Sequence, residues 1–333
     1  MYNRTLWIKN SKQSRSALIL MYLLHLVIIP FSYFNKSIVL KEQLNSANPY
    51  KGIYIGEFSM LGSFSAILMI VFAILLIGIE RNSGGIDFQF SLPFSPKELF
   101  FSKWIYGVFH IIVAYLCTFI LASVIHFTTD LHLYIPWTIF FKIFTILILF
   151  SLAFFTTSLA IGTITGHYFS QVLLTGFTLI SFSTLYYSVL ANIKGLLNYD
   201  LYYNEIEKFL IKITLPLSLI STSINVDLAT KDFNIKPIDL TNIFGMISYI
   251  IIFFIIGLFC FNRKANENNG KLFLYKKFGY FMQFIFIYLI GTGIALITSA
   301  ITETSKTISY FIGLCIGIIV GHLLYKGLNK FFD

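Results

Sequence analysis

The sequence has 333 residues, of which 57% are hydrophobic and only 12% charged, a composition outside the soluble range and with apolar runs longer than a globular core needs. Its formal charge of +9 sits mainly between those runs, which fits an inside-positive membrane protein better than a nucleic-acid binder. Cys117, Cys260 and Cys315 all fall within apolar runs, so no disulfide framework is implied.

A span needs about 20 apolar residues to cross roughly 30 Å of hydrocarbon. Eight stretches qualify: Ala17–Phe34, Phe58–Ile79, Trp104–Phe127, Trp137–Thr165, Phe169–Leu190, Thr241–Phe261, Tyr280–Ala300 and Ile308–Tyr325. With the N-terminus inside, fourteen of the 24 Lys and Arg fall in inside segments, among them every arginine. Both termini are therefore predicted cytoplasmic. The fold class is an all-α polytopic membrane protein.

Residues 1–16 are basic and precede an apolar run with no small-residue cleavage site after it, so the run reads as a retained signal anchor. Asn35–Glu57 is an outside loop of mixed charge. Thr128–Pro136 is a short outside loop flanked by His126 and His132, with Asp130 between them. That spacing matches no standard metal pattern, and solvated loop residues are the better reading. His25 and His110 lie inside spans and read as packed or hydrogen-bonded imidazoles. Lys142 is placed to extend its ammonium to the interface. Trp7, Trp104 and Trp137 read as interfacial anchors.

The long outer loop, 191–240, contains Ile206, Phe209, Leu210 and Ile213 at i, i+3, i+4 and i+7, the pattern of an amphipathic helix lying on the outer leaflet. The apolar stretch Leu215–Ile224 reads as a second interfacial segment. A linker at 262–279 separates a six-span part, 17–261, from a two-span extension, 280–333. Gly313, Gly317 and Gly321 recur every four residues in the last span and allow close helix approach, either within the chain or at a subunit interface.

The most informative stretch is Glu80–Lys103, ERNSGGIDFQFSLPFSPKELFFSK. Glu80-Arg81 closes a span, and Asn82-Ser83-Gly84-Gly85 breaks it, since glycine tolerates turn dihedrals. Ile86 and Phe90, four apart, share one face of a short helix as a small apolar knob. Pro93 ends that helix. Ser95-Pro96-Lys97-Glu98 then reads as a capping box that starts the next span.

Glu80-Arg81, Ser83-Gly84, the Ser91-Leu92-Pro93 turn, Ser95, Lys97-Glu98 and Lys103 resemble the loop between the second and third membrane helices of ABC-2-type permeases. The resemblance covers residues 1–261. It implies that this loop carries a coupling helix that docks on a cytoplasmic ABC ATPase, with Glu80, Arg81, Gly84, Ile86, Phe90, Leu92, Ser95, Lys97 and Glu98 as coupling residues. It also implies a second permease chain, an interfacial helix before the first span, in which Leu6, Trp7 and Ile8 bury one side, and short helices outside the membrane between the fifth and sixth spans. The two extra spans depart from the family's six-span pattern.

What is missing points the same way. No Asp or Glu lies within a predicted span, so a proton- or sodium-coupled cycle lacks its usual midplane carboxylates. There is no G-x-x-x-x-G-K-[ST] phosphate loop, no H-E-x-x-H and no G-x-S-x-G. The expected protein is a non-enzymatic transport subunit of a bacterial cell membrane, without cofactor or metal of its own. ATP is bound by its partner, membrane lipid surrounds it, and nucleic acid is not a partner. Its cargo is amphipathic or hydrophobic and moves outward. A membrane-embedded enzyme acting on lipid or peptide, and a sensory or scaffold protein, are the alternatives.

Overall fold

A computed structural model describes residues 4–45, 53–54, 58–198, 204–214, 224–226, 233–235, 240–263, 270–302 and 306–332. The chain runs through α1 (Arg4–Leu44), β1 (Ile53–Tyr54) and α2 (Phe58–Ala73), then a π-helical turn at Ile74–Gly78 that leads into α3 (Ile79–Asn82). Next come α4 (Gly85–Phe90), α5 (Pro96–Thr128), α6 (Leu131–Tyr134), α7 (Trp137–Gly162), α8 (Tyr168–Leu197) and α9 (Asn204–Ile213). After β2 (Ile224–Val226) and β3 (Phe233–Ile235) follow α10 (Leu240–Asn262), α11 (Lys276–Ile301) and α12 (Lys306–Phe332). Among the described residues eight helical stretches are long and apolar enough to cross a membrane, counting α2 through α3 as one.

Several helices outrun the apolar stretches that announce them. α1 has 41 residues, about 60 Å at 1.5 Å per residue, so residues 4–16 are its first turns, continuous with the first span. Leu6, Asn10, Ser14, Ala17, Met21, His25 and Ile29 form one buried stripe along it. α5 starts two turns before Trp104, and α8 runs on to Leu197, where Asn198 takes a left-handed conformation (φ 50°) and stops it. His167 caps the start of α8 by accepting from the Phe169 amide at 3.1 Å, and burial pushes its imidazole pKa down, which favours the accepting form.

Lipid offers no hydrophobic drive between helices, so packing and buried polar ties must hold them together. α7 is the most enclosed helix and packs on α2, α5, α8 and α10. Rings fill the gaps opposite glycines: a Cβ on Gly107 would run into the Phe155 ring, and one on Gly257 into Phe100. The Tyr115 hydroxyl joins three helices, bonding Ser65 at 3.1 Å and Ser151 at 2.7 Å, while His25 Nε2 lies 3.4 Å from Ser65. His110 pairs with the Tyr22 hydroxyl at 3.0 Å. Trp104 is a helix tie as well as a ring, donating to Thr156 Oγ1 at 3.0 Å, and Trp7 packs edge-on against Tyr106. Tyr115→Phe removes both hydroxyl bonds with little change of volume, so it is expected to lower stability by about 1 kcal/mol, measured by SDS titration in mixed micelles.

The outer loops hold one feature absent from the sequence reading. β1 pairs antiparallel with β2 (Ile53 opposite Val226), and β2 with β3 (Asn225 opposite Asn234), so the first outer loop is stitched to the long one. α9 covers Asn204–Ile213, with Ile206 and Phe209 exposed and Ile213 against Gly245 of α10. The Tyr187 hydroxyl donates to Glu207 at 2.8 Å and fixes α9 to α8. Of the predicted interfacial stretch Leu215–Ile224, residues 215–223 lie outside the described residues, and Ile224 opens β2.

The extension is a close hairpin of α11 and α12 laid against α8. Gly313, Gly317 and Gly321 face α11 of the same chain: a Cβ on Gly317 would lie 2.7 Å from the Gly291 Cα, and one on Gly321 3.2 Å from the Ile287 Cα. Asn192 of α8 locks the outer half of the hairpin, donating to Tyr288 at 2.9 Å and Thr292 at 3.1 Å and accepting from Tyr310 at 3.2 Å.

Candidate functional site

The site is built at the basic end of the bundle, where the second span leaves its regular winding. A π-helical turn closes i→i+5 rings and leaves nearby carbonyls poorly served by the helix itself. Two of them are taken up by other helices. Leu75 O accepts from the Gln13 side chain of α1, and Leu76 O accepts from Lys103 Nζ of α5 at 2.6 Å. Gly78 lies against Gln171 of α8, whose amide donates to Ser158 O of α7 at 2.9 Å.

Glu80 follows this turn and ties the helices by charge. Its Oε1 is 2.9 Å from Lys9 Nζ on α1, and its Oε2 is 2.6 Å from Lys103 Nζ on α5. Glu80 is 6% exposed and Lys103 1%. Burying such charges costs several kcal/mol each, and only close pairing with further hydrogen bonds offsets it. Gln89, buried on α4, faces the same carboxylate. Arg81, 3% exposed, lies near Cys260 and Tyr275 on the α10 side.

The loop beyond Glu80 has the predicted order of features. Gly84 takes φ 70°, a left-handed conformation that glycine adopts without strain, and starts α4. Ser95 accepts from the Glu98 amide at 3.3 Å while the Glu98 carboxylate accepts from the Ser95 amide at 2.9 Å, so the capping box is present with Pro96 at the first helical position.

The apolar knob is turned the other way from what a docking surface requires. Ile86 is 0% exposed, and Phe90 packs on Phe261 of α10 with ring centroids 5.3 Å apart. These residues fasten α4 to the spans. The large side chain left outside is Phe88, 68% exposed, with Gly84, Ser91, Lys97 and Glu98 also exposed and Leu92 half-buried.

The structure therefore brings Glu80, Arg81, Ile86 and Phe90 into an inner layer and leaves Gly84, Ser95, Lys97 and Glu98 in an outer one. Gly313, Gly317 and Gly321 belong to the hairpin and are not part of this site. Sequence reading missed Lys9, Gln13, Gln89 and Phe88 as members. Lys9 and Gln13 stand four apart on one face of α1, and that spacing was the available signal.

His126 stacks on Phe140, while His132 Nδ1 bonds Thr129 O at 2.7 Å. Among the described residues no group of three His, Cys, Asp or Glu is placed to hold a metal ion.

Residues 9–266 match the family model described as "ABC-2 family transporter protein". The chain is 24% identical over 323 residues to the "Probable ABC transporter permease YtrD" of Bacillus subtilis (strain 168), covering 95% of this chain and 94% of that protein. It is 26% identical over 287 residues to the "Probable ABC transporter permease YtrC" of the same organism, covering 83% of each. With the family model spanning well over half of the sequence and the spans laid out as described, the chain belongs to the ABC-2 family of transporter proteins, as a multi-pass membrane permease subunit of an ABC-type transporter that moves substrate across the membrane.

Proposed function

We propose that the cytoplasmic ATPase docks on the outer layer of the loop, with Phe88 entering a pocket on the partner, and that its movement passes through α4 into the Glu80 junction. The observation that carries this reading is the two-sidedness of α4. One face is sunk among the spans through Ile86, Gln89 and Phe90, and the other presents a single large aromatic ring beside the turn that carries Lys97 and Glu98. An exposed aromatic rimmed by polar groups is the usual chemistry of an interface anchor. The positive-inside distribution puts this loop on the cytoplasmic side. A short helix that packs on α10 through Phe90 and meets, through Gln89, the carboxylate tying α1 to α5 is suited to move them together.

Two permease chains with two ATPase subunits form the proposed assembly. The cargo is amphipathic or hydrophobic and leaves the cell, a reading supported by largely apolar spans without midplane carboxylates. Phe88→Asp is expected to reduce copurification of the ATPase and ATP-driven transport at least about tenfold while leaving thermal unfolding unchanged, because the ring contributes nothing to the core. Undiminished copurification and transport in that variant would remove the docking assignment.

A further inference from the structure

The α11–α12 hairpin meets α8 unequally along its length. Its outer half is closed by the Asn192 node. Its inner half stands apart from α8 and leaves a cleft of about 270 Å³ walled by apolar side chains, among them Leu173, Phe177, Phe273, Met282, Phe286 and Leu289. Leu272, Phe273 and Tyr325 are shared with a second hollow at the basic end, which Lys271, Lys276, Gln283 and Asn329 line. The two form one amphipathic groove, greasy within and cationic at its mouth.

We propose that this groove binds one glycerophospholipid of the inner leaflet with an anionic headgroup, an acyl chain lying between α8 and the hairpin and the phosphate between Lys271 and Lys276. From Lys276 to Leu289 the helix rises about 20 Å, which spans the headgroup level and one leaflet of a bilayer whose hydrocarbon is roughly 30 Å thick. Charge at the mouth fits the same occupant. Neither Lys271 nor Lys276 is ion-paired with a carboxylate among the described residues, and Lys277, Lys326 and Lys330 add positive charge at the same helix ends. Basic hollows between spans on the cytoplasmic side have the chemistry that selects anionic headgroups. The amides of Gln283 and Asn329 supply donors for phosphate ester oxygens. Tyr325 donates to Gly279 O at 3.1 Å and so presents its ring to the cleft. A lipid here serves as a removable wedge between core and extension rather than as cargo, because the groove is lined by α8, the hairpin and the turn before it, with no described residue of α1, α2 or α5 in its walls. The assignment rests on the charge-derived orientation and not on the ATPase docking reading.

The full-length chain, extracted in mild detergent and stripped of lipid, is incubated with equal amounts of phosphatidylglycerol and phosphatidylcholine and examined by native mass spectrometry. Phosphatidylglycerol is expected to be retained about tenfold over phosphatidylcholine. The surface variant Lys271→Ala/Lys276→Ala is expected to bring that ratio near parity, and Met282→Trp, which fills the cleft, to remove retention of both. Millimolar inorganic phosphate is expected to leave retained lipid in place. Equal retention of the two lipids by the wild-type chain, an unchanged ratio in the double-lysine variant, or displacement by inorganic phosphate alone would overturn the proposal.

Discussion

Lys103→Met is expected to lower the stability of the bundle by about 3–5 kcal/mol, because it removes the buried ammonium of the pair and leaves the Glu80 carboxylate with the half-exposed Lys9 and the neutral Gln89 amide. It also strips Leu76 O of its donor inside the π-helical turn. Unfolding by SDS titration would show the loss as an early transition, and transport would fall with it. The mechanism fixes what a second change must do. In Glu80→Gln/Lys103→Met no uncompensated charge remains, so most of the stability should return even though the junction no longer works as an ionic tie. Lys9→Ala should cost less than about 1 kcal/mol, since the Lys9 side chain is 36% exposed and water screens the pair. A single Lys103→Met variant as stable as the double variant would show that charge burial is not what governs this site.

Gly317→Leu is expected to drive the hairpin apart. The Cβ alone would lie 2.7 Å from the Gly291 Cα and 2.9 Å from the Gly291 O, and both neighbours are backbone, so no flexible side chain can yield. Overpacking of this kind costs about 1–3 kcal/mol, more where backbones meet. Gly327→Leu on the same helix is the matched control: nothing lies within 4 Å of its Cβ, and leucine is the better helix former. A lowered Tm for the first and an unchanged or raised one for the second is the expected pair of results. Equal Tm values would mean that the glycine face does not hold α12 to α11.

The eight spans were legible because the membrane imposes a length that a run of apolar residues must meet, whatever its neighbours do. Helix ends were less so. The hydrocarbon sets where apolar residues are needed but not where the helix stops, and α1 carries on through Arg4–Ser16 on a stripe in which Asn10 and Ser14 take core positions. Polar residues in those positions disguise the face to any reading based on hydrophobicity. The capping box at Ser95–Glu98 was readable because its bonds are local, made within four residues.

Side and partner were not readable in the same way. Spacing shows that Ile86 and Phe90 share a face of α4, but not that the face turns toward Phe261. It likewise shows that Gly313, Gly317 and Gly321 admit a neighbour, without naming α11 as that neighbour. Strands β1 to β3 are two or three residues long, too little local pattern to announce them, and β1 pairs with a strand more than 160 positions away. The Glu80 junction joins Lys9, Glu80 and Lys103, residues that only the folded bundle brings within 3 Å of one carboxylate.

The wide turn at Ile74–Gly78 has a geometric consequence for that junction. Each α-helical residue advances about 100° around the axis, and a stretch of i→i+5 rings accommodates roughly one residue more than regular winding would. Everything after Gly78 is therefore out of phase with the preceding span by about one such step. In an unbroken helix the acid at position 80 would point roughly a quarter-turn away from the place where both ammonium groups now converge on it, and the second span would arrive at the membrane surface with its charge aimed at the wrong neighbour.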